Sequence, residues 1–146
     1  MLFGNARAVT ALALVGGPVG ACALLLLSNM GAIRVAPAAS LQVVLLMVLV
    51  APVLEELAFR GALLDLAQSM LRRFGVADAG PVTRANLITS VLFAACHLPY
   101  QSVALSIGVL LPSLLLGRVR ELTGSVLPCV VLHAWFNACL LAALAR

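Results

Sequence analysis

Six residues in this chain have the types and spacing to do chemistry: Glu55, Glu56, Arg60, His97, His133 and Asn137. Glu55 and Glu56 are two of only five acidic residues among 146, and they are adjacent. They end a charge-free run that reaches back to Val35, and after Arg60 the sequence is apolar again until Asp65. An ionised residue at a bilayer centre costs about 2.5–3.5 kcal/mol. Three unpaired charges here would therefore cost about 7–10 kcal/mol, as much as a typical domain's whole stability. On a helix Glu56 and Arg60 are i,i+4 neighbours and can pair. Glu55 lies about 100° round from Glu56 and has no such partner. The pattern predicts one structural ion pair beside one working carboxylate.

A carboxylate with two imidazoles permits hydrolysis by general base catalysis. Desolvation and a neighbouring like charge both make a carboxylate a stronger base. The carboxylate takes a proton from water while one histidine orients that water. The other histidine and an amide N–H donate to the developing oxyanion. Each residue alone has a simpler reading. A lone histidine in an apolar helix is more often a packing residue, Asn137 alone can bond across to another helix, and Glu56–Arg60 alone can be structural. All of these must hold at once for the cluster to be inert, and Glu55 then has no partner outside it. Ionisable residues inside membrane segments are functional by default. Two histidines and a glutamate also match the ligand count of a catalytic zinc site. No H-E-x-x-H is present, however, and the histidines are 36 residues apart. With Glu55 as a ligand the only carboxylate left is Glu56, and a carboxylate paired with a cation is a poor base. The expectation is a site without a metal cofactor, with zinc as the alternative.

Helices crossing a membrane must position these groups. The chain is 64% apolar and 10% charged, far from the composition of soluble domains. All nine basic residues are arginine. The net charge of +4 is spread over loops, which reads as a topology signal and not as a nucleic-acid surface. Cys22, Cys96, Cys129 and Cys139 lie in apolar segments without a C-x-x-C, so they read as small buried hydrophobes, not disulfides.

Five spans are expected. Ala8–Leu27 is charge-free for 20 residues, long enough to cross and longer than the apolar core of a signal peptide. The second element runs from Val35 to about Met70, ending near Arg72 and Arg73. A loop follows from Phe74 to Arg84. Ala85–Gly117 carries no formal charge over 33 residues, and Leu98-Pro99-Tyr100 is its natural break. It yields helices of about residues 86–97 and 101–118, with Pro112 kinking the latter. A short polar turn precedes the last helix, which Thr123 or Ser125 caps and which runs to about Ala145. His97 and His133 then lie roughly 19 Å and 14 Å inward from the same ends of their helices. Glu55 sits at intermediate depth too. His133 and Asn137, i,i+4, share one face.

In this arrangement Arg7, Arg72, Arg73, Arg84, Arg118 and Arg120 face one side, with Arg34 and Arg146 on the other. Positive charge favours the cytoplasm, so the N-terminus is expected inside and the C-terminus outside. Residues 1–34 form a first helix and loop, and 35–146 a helical core, within one membrane domain. The absence of lysine and the compact length suit a bacterial inner-membrane protein.

Glu55-Glu56-x-x-x-Arg60, Phe93-x-x-x-His97 and His133-x-x-x-Asn137, in this order, resemble the three motifs of the CPBP family. These are the CAAX protease and bacteriocin-processing (Abi) intramembrane proteases, which include the eukaryotic CAAX prenyl endopeptidase. The resemblance covers about residues 40–142, and Thr123-Gly124-Ser125 before the third motif also fits. It implies a glutamate-dependent endopeptidase in which Glu55 activates water with help from His97. His133 and Asn137 stand at the oxyanion, and Glu56 and Arg60 support the site. The implied substrate is a membrane-tethered protein or peptide, cut near its C-terminus. A single helix precedes the first-motif helix, fewer than relatives often have. A non-catalytic membrane scaffold or bacteriocin-immunity factor of the same fold is the other reading, but a scaffold has no need of an unpaired Glu55. A small transporter would need a polar path across both leaflets, and the outer ends of these helices offer few candidates.

Overall fold

The computed structural model describes residues 4–29, 40–76 and 80–144, and among these it is all helix, with no strand. The expected boundary at residues 34 and 35 lies outside the described residues. Five helices follow one another: α1 (Ala6–Asn29), α2 (Leu41–Arg73), α3 (Arg84–His97), α4 (Val103–Thr123) and α5 (Leu127–Leu144). The polytopic all-α bundle expected from sequence is therefore present. The helices α1, α2 and α4 are long and apolar enough to cross a membrane. The apolar stretch of α5, Leu127–Ala143, is shorter. With 14 residues, α3 is only about 21 Å long.

Small polar residues start and stop these helices. Ser40, Thr83 and Ser102 each accept a backbone N–H three residues on, opening α2, α3 and α4. Ser125 Oγ accepts from Leu127 N at the start of α5. Gly124 ends α4 with φ of 67°, and its N–H returns to the Arg120 carbonyl, a left-handed stop that suits glycine. The polar turn expected from Arg118 onward thus forms later: Arg118, Arg120 and Glu121 belong to α4, where Arg118 pairs with Glu121 at 3.2 Å. Leu98–Tyr100 is the turn between α3 and α4, as its proline predicts.

The bundle is inverted relative to a soluble protein. Leu46, Leu49, Leu54, Leu57, Leu111 and Val131 are exposed, whereas Glu56, Arg60, Asn86, Ser90, Ser113 and His133 are buried. Leucine outside and polar groups inside is what lipid demands of a helix bundle. The apolar core is small: Val9 and Ala13 of α1 meet Leu116 and Val119 of α4 and Cys129 and Leu132 of α5. The first helix is therefore part of the same core as the rest. Of the four cysteines only Cys129 is fully buried; Cys139 is half-buried, and Cys22 and Cys96 are exposed, not inward as expected.

Close helix approaches use glycine. A Cβ on Gly17 of α1 would come within 3.0 Å of Trp135 Nε1. That indole donates to the Leu14 carbonyl at 2.9 Å, the acceptor that Pro18, lacking an N–H, cannot serve. Between α3 and α4, Asn86 donates to the Leu114 carbonyl at 3.0 Å and accepts from Ser90 at 3.1 Å. A Cβ on Gly117 would lie 1.9 Å from Asn86 Oδ1, so this buried amide fits only against glycine. Gly117→Ala should therefore lower stability by about 2–4 kcal/mol, combining overpacking with lost buried hydrogen bonds. Thermal unfolding in detergent measures this, and a wild-type midpoint would show that Asn86 is not fixed there.

Candidate active site

The helix α2 carries the first motif and is not a uniform α-helix. Two π-helical stretches, Leu46–Val50 and Leu57–Leu63, flank the α-helical segment Ala51–Glu56. Such bulges add a residue to a turn and occur frequently at functional sites. In the first, Ala51 N–H bonds Leu46 O, five residues back, instead of Met47 O. The next residue, Pro52, has no N–H to offer. The released Met47 carbonyl accepts from Asn137 Nδ2 of α5 at 2.7 Å.

One turn below, Glu56 and Arg60 form the expected pair. Arg60 Nη1 donates to Glu56 Oε1 at 3.0 Å, with side chains 2% and 0% exposed. Arg60 Nη2 donates to both Oγ and the carbonyl of Ser113 in α4, at 2.7 and 2.9 Å. Its guanidinium also lies 4.6 Å from the centroid of the Phe93 ring, a cation–π arrangement. Glu56 has a second partner that helix spacing does not reveal. His133 Nδ1 lies 2.8 Å from the same Oε1. A carboxylate can only accept there, so Nδ1 carries the proton. Glu56 Oε2, buried, has no partner among the described residues.

Glu55 points elsewhere, as the 100° offset predicts. Its side chain is 34% exposed, and its Oε2 stands 3.7 Å from His133 Nε2, beyond hydrogen-bond range. The His133 ring thus lies between the two glutamates, bonded to one and facing the other. His97 Nδ1 lies 2.8 Å from its own chain's Phe93 carbonyl. A carbonyl only accepts, so Nδ1–H is the proton carrier and a neutral His97 presents a lone pair at Nε2. Phe93 connects the two histidines, with centroid distances of 4.7 Å to His97 and 5.8 Å to His133, and Phe59 packs on its edge at 4.9 Å.

The structure therefore joins Glu56, Arg60 and His133 directly, sets Glu55 beside His133 at 3.7 Å, and brings His97 to them through Phe93. Asn137 reaches the same helix one π stretch higher, with one amide hydrogen committed to Met47 O. Its alignment with His133 on one face of α5 is observed, since both address α2. Sequence reasoning missed Ser113, which anchors Arg60, and the central place of Phe93. A serine next to Pro112, two turns from the polar end of α4, is a weak signal. Phe93 is visible only as the first residue of its motif. Among the described residues no three His, Cys, Asp or Glu side chains converge as metal ligands.

No curated protein and no solved structure matches the chain. Residues 37–139 do match a family described as Type II CAAX prenyl endopeptidase Rce1-like. That stretch holds all six residues above and spans well over half of the sequence. The chain therefore belongs to this protease family.

Proposed function

We propose that the protein is a glutamate-dependent intramembrane endopeptidase that cuts a membrane-tethered protein or peptide near its C-terminus. The observation that carries this reading is the division between the two adjacent glutamates. Glu56 is buried and held by Arg60 and His133, whereas Glu55 is partly exposed and makes no hydrogen bond of its own among the described residues. Glu55 takes a proton from water, and the hydroxide formed adds to the scissile carbonyl. The lone pair at His97 Nε2 accepts the water's other hydrogen and so orients it. His133, its Nδ1–H on Glu56, donates from Nε2 to the oxyanion when it carries its second proton. Asn137, oriented by its bond to Met47 O, donates with its remaining amide hydrogen. Collapse of the tetrahedral species breaks the C–N bond, and Glu55 returns its proton to the departing amine.

No step in this scheme uses a metal. What supports a metal-free site over zinc is the use of the carboxylates: with Glu55 as a ligand the base would have to be Glu56, which Arg60 and His133 already hold. The scaffold or immunity-factor reading predicts the same buried network but no product. Comparative membrane proteomics of wild type and Glu55→Gln separates these readings, because the variant keeps the side chain's shape and removes the base. A C-terminally shortened product present in wild type, persisting after strong chelation and absent in the variant, is expected. Equal product in both would contradict the role of Glu55, and product lost on chelation and restored by zinc would make Glu55 a ligand.

The protein resides in a bacterial inner membrane in this proposal, with the N-terminus in the cytoplasm, on the arginine distribution. A reporter fused after Arg73 should then report cytoplasm, and one after Arg146 the outside. A cytoplasmic C-terminus would instead make Ala85–Gly117 one broken span and not two.

A further inference from the structure

The second π stretch releases a carbonyl inside the motif itself. Leu64 N–H bonds Phe59 O, five residues back, and so does not serve Arg60 O, its α-helical acceptor. Arg120 of α4 takes that carbonyl, its Nε donating to Arg60 O at 3.1 Å. The same guanidinium reaches one turn further along α2, where Nη2 meets both carboxylate oxygens of Asp65 at 3.1 Å. One side chain thus grips the helix on both sides of the inserted residue. If the bulge relaxed to a regular helix, Leu64 N–H would reclaim Arg60 O and Arg120 would lose that acceptor. Each residue added to or removed from a turn rotates one side of a helix by about 100° and slides it about 1.5 Å relative to the other.

We propose that Arg120 is a positioning residue that clamps the π register of α2 and so sets the phase of Glu55 and Glu56 against His133. This rests on the protease reading given above. Arg120 touches no reacting atom; it acts through the backbone of Arg60, whose side chain holds Glu56. A misplacement of about 1 Å in a catalytic group reduces turnover about a hundredfold, so the clamp matters for rate well beyond the strength of a partly exposed ion pair.

Two readouts test this on the full-length protein in detergent and in membranes. Arg120→Met removes both donors and keeps the packing of the stem. It should yield about a hundredfold less shortened product per folded molecule than wild type. Its thermal midpoint should stay within a few degrees, and amide hydrogen exchange should accelerate only in peptides covering Leu57–Asp65. Asp65→Asn, which keeps the bond to Arg60 O, should retain wild-type product and exchange. Wild-type product from Arg120→Met, unchanged exchange over Leu57–Asp65, or a midpoint falling in step with activity would each overturn the proposal. So would an Asp65→Asn defect equal to that of Arg120→Met, because the ion pair would then be the effective part. Where Arg120→Met does not accumulate folded, Arg120→Lys carries the test: reduced product is expected, and wild-type product or failure to fold overturns it. If wild type itself gives no Glu55-dependent product, the protease reading fails, and the exchange measurement alone judges the clamp.

Discussion

A single buried carboxylate oxygen, Glu56 Oε1, governs this structure. It accepts from Arg60 on its own helix and from His133 on α5, and Arg60 passes the link to Ser113 on α4. Three helices are thereby tied at one depth through charge-assisted hydrogen bonds, the strong kind. Lipid makes the tie compulsory: removing one partner of a buried pair strands a charge and costs about 3–5 kcal/mol. The chemistry of the neighbouring residue follows from it. Because Glu56 uses Arg60 and the Nδ1 side of His133, Glu55 is left facing Nε2 at 3.7 Å without a cation of its own.

The same constraint acts on the backbone. In hydrocarbon every carbonyl that a helix releases must find a donor elsewhere in the protein. Pro18 frees Leu14 O, and Trp135 takes it; the first π stretch frees Met47 O, and Asn137 takes it; the second frees Arg60 O, and Arg120 takes it. Each irregularity becomes a tertiary contact, because only a side chain from another helix supplies the missing hydrogen. Two of the three lie on α2, on either side of the two glutamates, so the motif is fixed from both ends.

Much of this was legible in local sequence. Glu56 and Arg60 pair because i,i+4 spacing allows nothing simpler, and Pro99 breaks an apolar run too long for one helix. The unpaired state of Glu55 follows from the same helical arithmetic. The His133–Glu56 bond joins residues 77 positions apart, and no periodicity encodes which of two adjacent carboxylates an imidazole selects. The π stretches were equally hidden, since Leu46–Val50 and Leu57–Leu63 have the composition of ordinary helix. Arg120 read as a charge for the membrane surface because α4 was expected to stop at Arg118. Its role emerges only once the helix continues to Thr123 and carries the guanidinium back to α2. The inward view held for Cys129 and failed for Cys22 and Cys96 for a related reason: in a thin bundle many apolar positions are on the outside, and apolar sequence alone does not tell the outer face from the core.

The central claim is that Glu56 is bound into the fold and Glu55 is free of it. A pair of double-mutant cycles against Arg60 in detergent, read by thermal or denaturant unfolding, tests it most directly. Coupling of Arg60→Met with Glu56→Gln should be about 2–3 kcal/mol, as for residues in one buried network. Coupling with Glu55→Gln should be within about 0.5 kcal/mol of additive. Equal coupling to both glutamates, or stronger coupling to Glu55, would contradict the account.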